Sequence, residues 1–330
     1  MRENQWHLRY LHVIDAHQSN RGDGVTVAVV DTGVAPHPDL RENLLLGSDI
    51  VGGGSGSGQD EPHWHGTSMA GLVAAHGRGN IGALGIAPGA KVLPIRIAAD
   101  VVLDDSDAVA AGVEWATSYG ARVVSISNAG SPSPRLRRAV EAALREDVVV
   151  VAAVGNRPRL TNVGFPAALE GVVAVGATDR DGNHADISVT GNAVVISAPG
   201  VDIYSTSTDG NYSRGSGTSA STAIVAGAVA LVRSRFPDLS ASEVVHRLTA
   251  TAVDKGPPGR DPEYGYGVLD LVAALTADVP AVSASAAPSA TSSASPEGGG
   301  DGRIPVVLAL VVGGAVIGFF LIRSRRRRSP

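Results

Sequence analysis

The chain contains no cysteine, which excludes both disulfides and thiolate metal sites. Compartment stays open on that count, because an exported protein need not use disulfides. Lysine is nearly missing as well: Lys91 and Lys255 are the only two, and arginine supplies the rest of the positive charge. Net charge is −5, yet Arg323, Arg325, Arg326, Arg327 and Arg328 gather at one end, leaving about −10 on the remainder. A body of that sign disfavours nucleic acid as a partner. The first ten residues, MRENQWHLRY, also lack the apolar run of roughly 7 to 15 residues that a signal peptide requires.

What is present is enough for one large domain: 330 residues, 44% hydrophobic and 18% charged. From 304 to 322 the sequence IPVVLALVVGGAVIGFFLI is uncharged, and as a helix it would span roughly 28 Å, close to a hydrocarbon core. It reads as a transmembrane helix. The arginines in the 323–330 tail then mark the cytoplasmic side and place the large domain outside. An outside domain needs an export signal, so the chain is expected to start upstream of Met1 or to have had its signal removed. The rival arrangement, a tail-anchored protein with a cytoplasmic domain, would export the arginines against the positive-inside rule.

Before the span, residues 277–303 turn to Ala, Ser, Pro and Gly, a composition that cannot bury enough apolar surface to fold. They read as a flexible stalk. The expected organisation is an N-terminal extension (1–21), a catalytic domain (22–276), the linker (277–303), the membrane helix (304–322) and a basic tail (323–330). Within the domain, β-branched runs recur at 25–30, 92–97, 123–126, 148–153 and 172–175, with helical patterns at 107–119 and 134–145. Strands without in/out alternation, separated by helices, predict an α/β fold with a mostly parallel sheet buried on both faces. In such sheets functional residues collect at the carboxyl ends of strands. Asp31 closes one run, and Asn156 follows another closely.

Acyl transfer to a serine needs a nucleophile, an imidazole to take its proton, a carboxylate to orient the imidazole, and donors for the oxyanion. Asp31 in VAVVDTGV, His65 in HGTSMAGLVAA, Asn156 in VVVVAAVGN and Ser219 in GSGTSASTAIVAG supply all four types. Each also has a plainer reading: an Asp closing a strand forms turns, and an Asn after Gly adopts αL. Four together leave little room for coincidence. His65 is expected to open one helix and Ser219 another, apolar one reaching to about Phe236, whose first unpaired N–H groups favour negative charge. Ser68, in GTSMA, competes with Ser219 as nucleophile. It lies three residues after His65 on the same expected helix, so it is read as a small packing residue.

The contexts D-T-G, H-G-T-x-x-A-G and G-T-S, together with HPDL at 37–40, APG at 198–200 and GYGVLD at 265–270, resemble the subtilase family of serine proteases over roughly residues 22–275. The resemblance implies a subtilisin-like fold, a triad of Asp31, His65 and Ser219, and Asn156 as an oxyanion donor beside the Ser219 N–H. It also implies that peptide substrates bind extended beside Val101, Val102 and Leu103 and beside Ser127, Asn128, Ala129 and Gly130, by strand addition. Two departures stand out. Ala220, Ser221 and Ala223 replace the Met, Ala and Pro of the usual G-T-S-M-A-x-P, and SNAGS replaces S-L-G-G.

No cofactor is required by this chemistry. His63 and His65 form an H-x-H pair without accompanying Glu or Cys ligand spacing, so no metal is expected there. Structural calcium, common in subtilases, is left unassigned, no EF-hand-like loop being visible. The Gly/Ser run at 52–58 lacks a nucleotide fingerprint and reads as a mobile loop leading to His65. Domain, stalk, membrane helix and basic tail together resemble the mycosins, the membrane-anchored proteases of actinobacterial type VII secretion, and so does the Q-W segment at Gln5 and Trp6. Mycosin cysteines are absent. Three functions follow: a secretion-associated processing protease bound to a type VII membrane complex, a general surface protease, and a non-catalytic component that stabilises such a complex.

Overall fold

The computed structural model describes residues 1–59, 63–100 and 105–280. Two short helices, α1 (Trp6–Tyr10) and α2 (Val13–Ala16), precede seven strands that form one sheet: β1 (Thr26–Asp31), β2 (Ser48–Asp49), β3 (Lys91–Arg96), β4 (Val123–Ile126), β5 (Val149–Ala153), β6 (Val173–Thr178) and β7 (Ile196–Pro199). Their order is β2-β3-β1-β4-β5-β6-β7, and every pairing is parallel. The α/β expectation is borne out, and the strand runs read from sequence match five of the seven. The other two, β2 and β7, are short and carry Ser, Asp or Pro, so no β-branched run announces them.

Successive valines of one strand serve opposite cores. Val27 and Val29 face one apolar cluster with Val151 and Val175, whereas Ala28 and Val30 face the other with Val124 and Val150. That two-sided burial is why these strands are apolar throughout. The second cluster is closed by α4 (Ser106–Ser118) and α5 (Pro134–Arg145). Both helices start where a side chain satisfies their first N–H groups: Asp105 accepts from Asp107 and Ala108, and Ser133 from Arg135 and Leu136 with Pro134 following.

The first cluster is closed by α3 (His65–Ala74) and α6 (Thr218–Arg235), with α7 (Ala241–Ala250) and α8 (Leu271–Thr276) behind them. Between β7 and α6 lies an antiparallel hairpin, β8 (Ile203–Thr206) and β9 (Tyr212–Gly215). It is fastened to α3 by Ser205 Oγ donating to Ser68 O and Thr206 Oγ1 to Thr67 O, both at 2.7 Å. Helix α6 is buried from Thr218 to Arg233 except at Ser219. Its low polarity on all sides follows from that position.

Among the described residues no helix is long and apolar enough to cross a membrane. The 304–322 span and its tail lie outside the described residues, as does all but the first few residues of the expected stalk.

Candidate active site

Asp31 is the last residue of β1, at the carboxyl edge of the sheet, and its side chain is nearly buried. Its Oδ1 accepts the Thr32 N–H at 2.8 Å and stands 2.7 Å from His65 Nδ1. A carboxylate can only accept, so Nδ1 carries the hydrogen and Nε2 is the basic nitrogen of the neutral ring. Backbone contact fixes that pair. The Gly66 N–H donates to Thr32 Oγ1 at 3.1 Å, and a Cβ on Gly66 would stand 1.9 Å from Gly33 O. Only glycine lets the start of α3 lie against the D-T-G segment this closely.

Ser219 is the second residue of α6, and no side chain of that helix caps it. Instead the Thr218 N–H and Thr218 Oγ1 both donate to Asn156 Oδ1, at 2.9 and 3.1 Å. Two donors on one atom settle which end of the Asn156 amide is oxygen, so its NH2 group points away from Thr218, towards Gly217. With the Thr218 N–H taken up by Asn156, the helix start sets the Ser219 N–H and its positive dipole end next to an amide donor. The Ser219 hydroxyl donates to Ser127 O at 3.1 Å, and Ser127 Oγ donates to Ser219 O at 3.2 Å.

His65, Ser219, Asn156, Ser127, Asn128 and Ala129 line one cleft of about 240 Å³. Six of the predicted site residues are thus brought together with Asp31 directly behind His65. Gly130 stands apart, because its N–H and C=O both bond Phe165 at 2.9 Å. Its main chain is therefore not available for the strand addition expected of the 127–130 segment. Val101, Val102 and Leu103 lie outside the described residues. Ser68 is buried on α3, its hydroxyl accepting from Ser213 Oγ at 3.2 Å, and it forms part of the cleft wall.

Sequence reading missed the apolar part of that wall: Trp64, Met69 and Leu72 from the α3 region, Leu160 from the loop after Asn156, and Ile203 from β8. Each looks like an ordinary core residue in its own segment. No local signal distinguishes them.

Among the described residues no group of three or more His, Asp or Glu side chains converges on a point where a metal ion could sit. The most deeply buried of the described carboxylates, Asp39, is held by Arg78 Nε at 2.7 Å and by the Ala83 N–H and Tyr212 hydroxyl, both at 2.8 Å. Burial alone would raise its pKa, but those bonds outweigh it and hold the carboxyl below the usual range.

A parallel α/β sheet thus carries a buried aspartate–histidine pair at its carboxyl edge, and the cleft lined by that histidine also holds a serine at a helix start. The chain belongs to the subtilase family, whose model matches residues 22–267. It is 38% identical to Subtilisin DY from Bacillus licheniformis over 262 residues, 78% of this chain and 93% of that one. Among solved structures it resembles MycP1 from Mycobacterium smegmatis, with TM-score 0.73 and 30% identity over 83% of this chain and 85% of that one. It also resembles the MycP3 protease from the type VII (ESX-3) secretion system, with TM-score 0.72 and 34% identity over 83% and 88%. The chain is a subtilisin-type serine protease, and mycosins are among its structural neighbours.

Proposed function

We propose that Asp31, His65 and Ser219 form the catalytic triad of an endopeptidase acting through an acyl-enzyme, with Asn156 and the Ser219 N–H as oxyanion donors. The observation that carries this is the 2.7 Å contact of Asp31 Oδ1 with His65 Nδ1 at the edge of the cleft that holds Ser219. Ser219 Oγ turns from Ser127 O to the imidazole, gives its proton to Nε2 and attacks the scissile carbonyl carbon. The oxyanion is met by the Asn156 NH2 and the helix start. The C–N bond breaks as His65 returns the proton to the leaving amine, and water repeats the sequence on the ester. The chemistry calls for no cofactor, and polypeptide is the substrate class.

A fluorophosphonate probe tests the assignment of the nucleophile. Labelling of the wild-type chain is expected, with complete loss in Ser219→Ala and retention in Ser68→Ala; labelling that survives Ser219→Ala would remove Ser219 from the triad. For the oxyanion, Asn156→Ala is expected to lower kcat roughly 100- to 1,000-fold with KM little changed. That magnitude comes from the same donor in a subtilisin and is carried over to this chain. Burst kinetics on an ester substrate would show it, and an unchanged kcat would exclude the amide from the reaction.

The protease is further proposed to be held at the cell membrane by the 304–322 helix, catalytic domain outside and arginines inside, and to serve a type VII secretion complex. The apolar run with its flanking arginines supports the first part, and the likeness to the MycP3 protease from the ESX-3 system supports the second. A second reading, a general surface protease, is favoured by the higher identity to Subtilisin DY, 38%, than to the MycP1 structure, 30%. Genes for a secretion ATPase and its membrane partners beside this one would favour the first over the second.

A further inference from the structure

Two arginines are buried among the described residues, Arg233 and Arg247, and only one of them has a counter-ion. Arg233 meets a carboxylate, its Nη1 lying 3.1 Å from Asp147 Oδ2. Arg247, on α7, is 8% exposed and meets none. Its Nε and Nη2 donate to Ala274 O and Ala277 O at the end of α8, which ties α7 to α8 and explains its place in the fold. Its guanidinium carbon also stands 4.1 Å from the centre of the Phe236 ring, just after α6. Carbonyls and a ring face spread the charge without cancelling it, and a buried ion lacking a counter-ion is costly. Arg235, the last residue of α6, brings a second charge to within 5.0 Å of the same ring and likewise forms no ion pair among the described residues. Burial first, and then the charge of Arg235, lower the pKa of Arg247.

Both arginines line one surface cavity of about 470 Å³, with Phe236 and Leu275 as its apolar floor and Ser19 contributing a hydroxyl. The acidic residue of that wall, Asp278, is exposed and forms an ion pair with neither arginine, and its charge acts on Arg247 less than that of Arg235 does. We infer that the cavity is an anion site that takes a phosphate group, either a monoester at a lipid head group or the free ion. The charge balance selects the ligand: two guanidinium groups match a phosphate dianion, whereas a lone carboxylate would leave one of them uncompensated. Geometry points the same way. Arg247 Nη1 has no partner among the described residues, Arg235 has its whole fork free, and planar guanidinium forks bind phosphate oxygens in pairs. None of the residues around this cavity lines the cleft of Ser219, so the inference stands apart from the catalytic reading.

The test is calorimetric titration of the full chain, in non-ionic detergent and phosphate-free buffer, with inorganic phosphate, dihexanoyl phosphatidate and acetate. A phosphate probe is expected to bind, and Arg235→Gln to weaken it roughly tenfold to a hundredfold, the loss that follows from removing one charge-assisted pair. Arg138→Gln, which removes an exposed charge of α5, should change nothing. The arginines at 323–328 attract anions too, but all these chains share them and their effect cancels in the comparison. Ser19→Glu, which sets a carboxylate into the wall from an exposed turn, gives the same reading should Arg235→Gln fail to fold. Binding of phosphatidate alone supports the site and makes a lipid head group its source; binding of both phosphate probes supports it with free phosphate sufficient. Failure of both to bind, acetate binding of equal strength, or binding that Arg235→Gln weakens no more than Arg138→Gln does overturns the inference.

Discussion

Asp31→Asn is expected to lower kcat roughly ten-thousandfold, a magnitude carried over from the corresponding substitution in another serine-protease triad. Its physical basis is visible here. Asp31 Oδ1 takes hydrogen bonds from both the Thr32 N–H and the His65 Nδ1–H. An amide nitrogen in that place would donate to Nδ1, so the ring hydrogen would move to Nε2, the atom that must accept the serine proton. An amide oxygen there would keep both bonds but remove the negative charge that steadies the imidazolium. Either way the residues stay in position, and the thermal midpoint should move little. Stopped-flow acylation with an activated ester would check this: a fall confined to acylation and deacylation rates fits, whereas a large loss of stability with modest kinetic change would assign Asp31 a packing role.

Stability should also depend on acid through His7. That residue, on α1, is 0% exposed, and neither ring nitrogen has a hydrogen-bond partner. Burial lowers its pKa from the ordinary 6.5 to about 3. The folded chain therefore keeps His7 neutral where the unfolded chain protonates it. The sign follows: no penalty above pH 6.5, then a loss of about 1.4 kcal/mol per pH unit as pH falls from 6.5 towards 3, on the order of 5 kcal/mol in total. His7→Leu has similar bulk and no proton site, and it removes two unpaired polar atoms. It should match or exceed the wild type at pH 7. Its unfolding free energy, measured by denaturant titration, should then fall about 3 kcal/mol less between pH 7 and pH 4. His17, His37 and His184, whose pKa values burial also lowers, and Asp39 are common to both proteins and cancel in the difference. Equal pH dependence in the two would show that acid unfolding starts elsewhere.

The three residues of the proposed triad stand out in the sequence because each sits in a local context with a local cause. Asp31 ends a valine-rich strand, Gly66 follows His65 because a side chain would strike Gly33 O, and the stretch after Ser219 is apolar because α6 is buried on all sides. Those causes act over a few residues and leave marks of the same length. What escaped arises from packing between distant segments. Gly130 is engaged by Phe165, far along the chain, through a two-bond bridge that no single-segment pattern encodes. The apolar wall of the cleft draws on residues near 64, 160 and 203, which no one segment brings together. Strand β7 and the β8–β9 hairpin lacked a signal because short strands carrying Ser, Tyr, Arg and Pro read as loop.

A protease has copies of itself among the polypeptides it meets, and the burial of α6 bears on that encounter. Cleavage requires a chain that can be drawn out as an extended strand. From Thr218 to Arg233 every residue of α6 but Ser219 is enclosed, so this segment comes within reach of another copy only through opening on the scale of the whole domain. Self-digestion should start instead at exposed turns such as the glycines at 52–54. A molecule nicked there would keep Ser219, the proposed nucleophile, the helix dipole beneath it and the Asn156 contact intact, so autolysis would shorten the chain well before it silenced the enzyme.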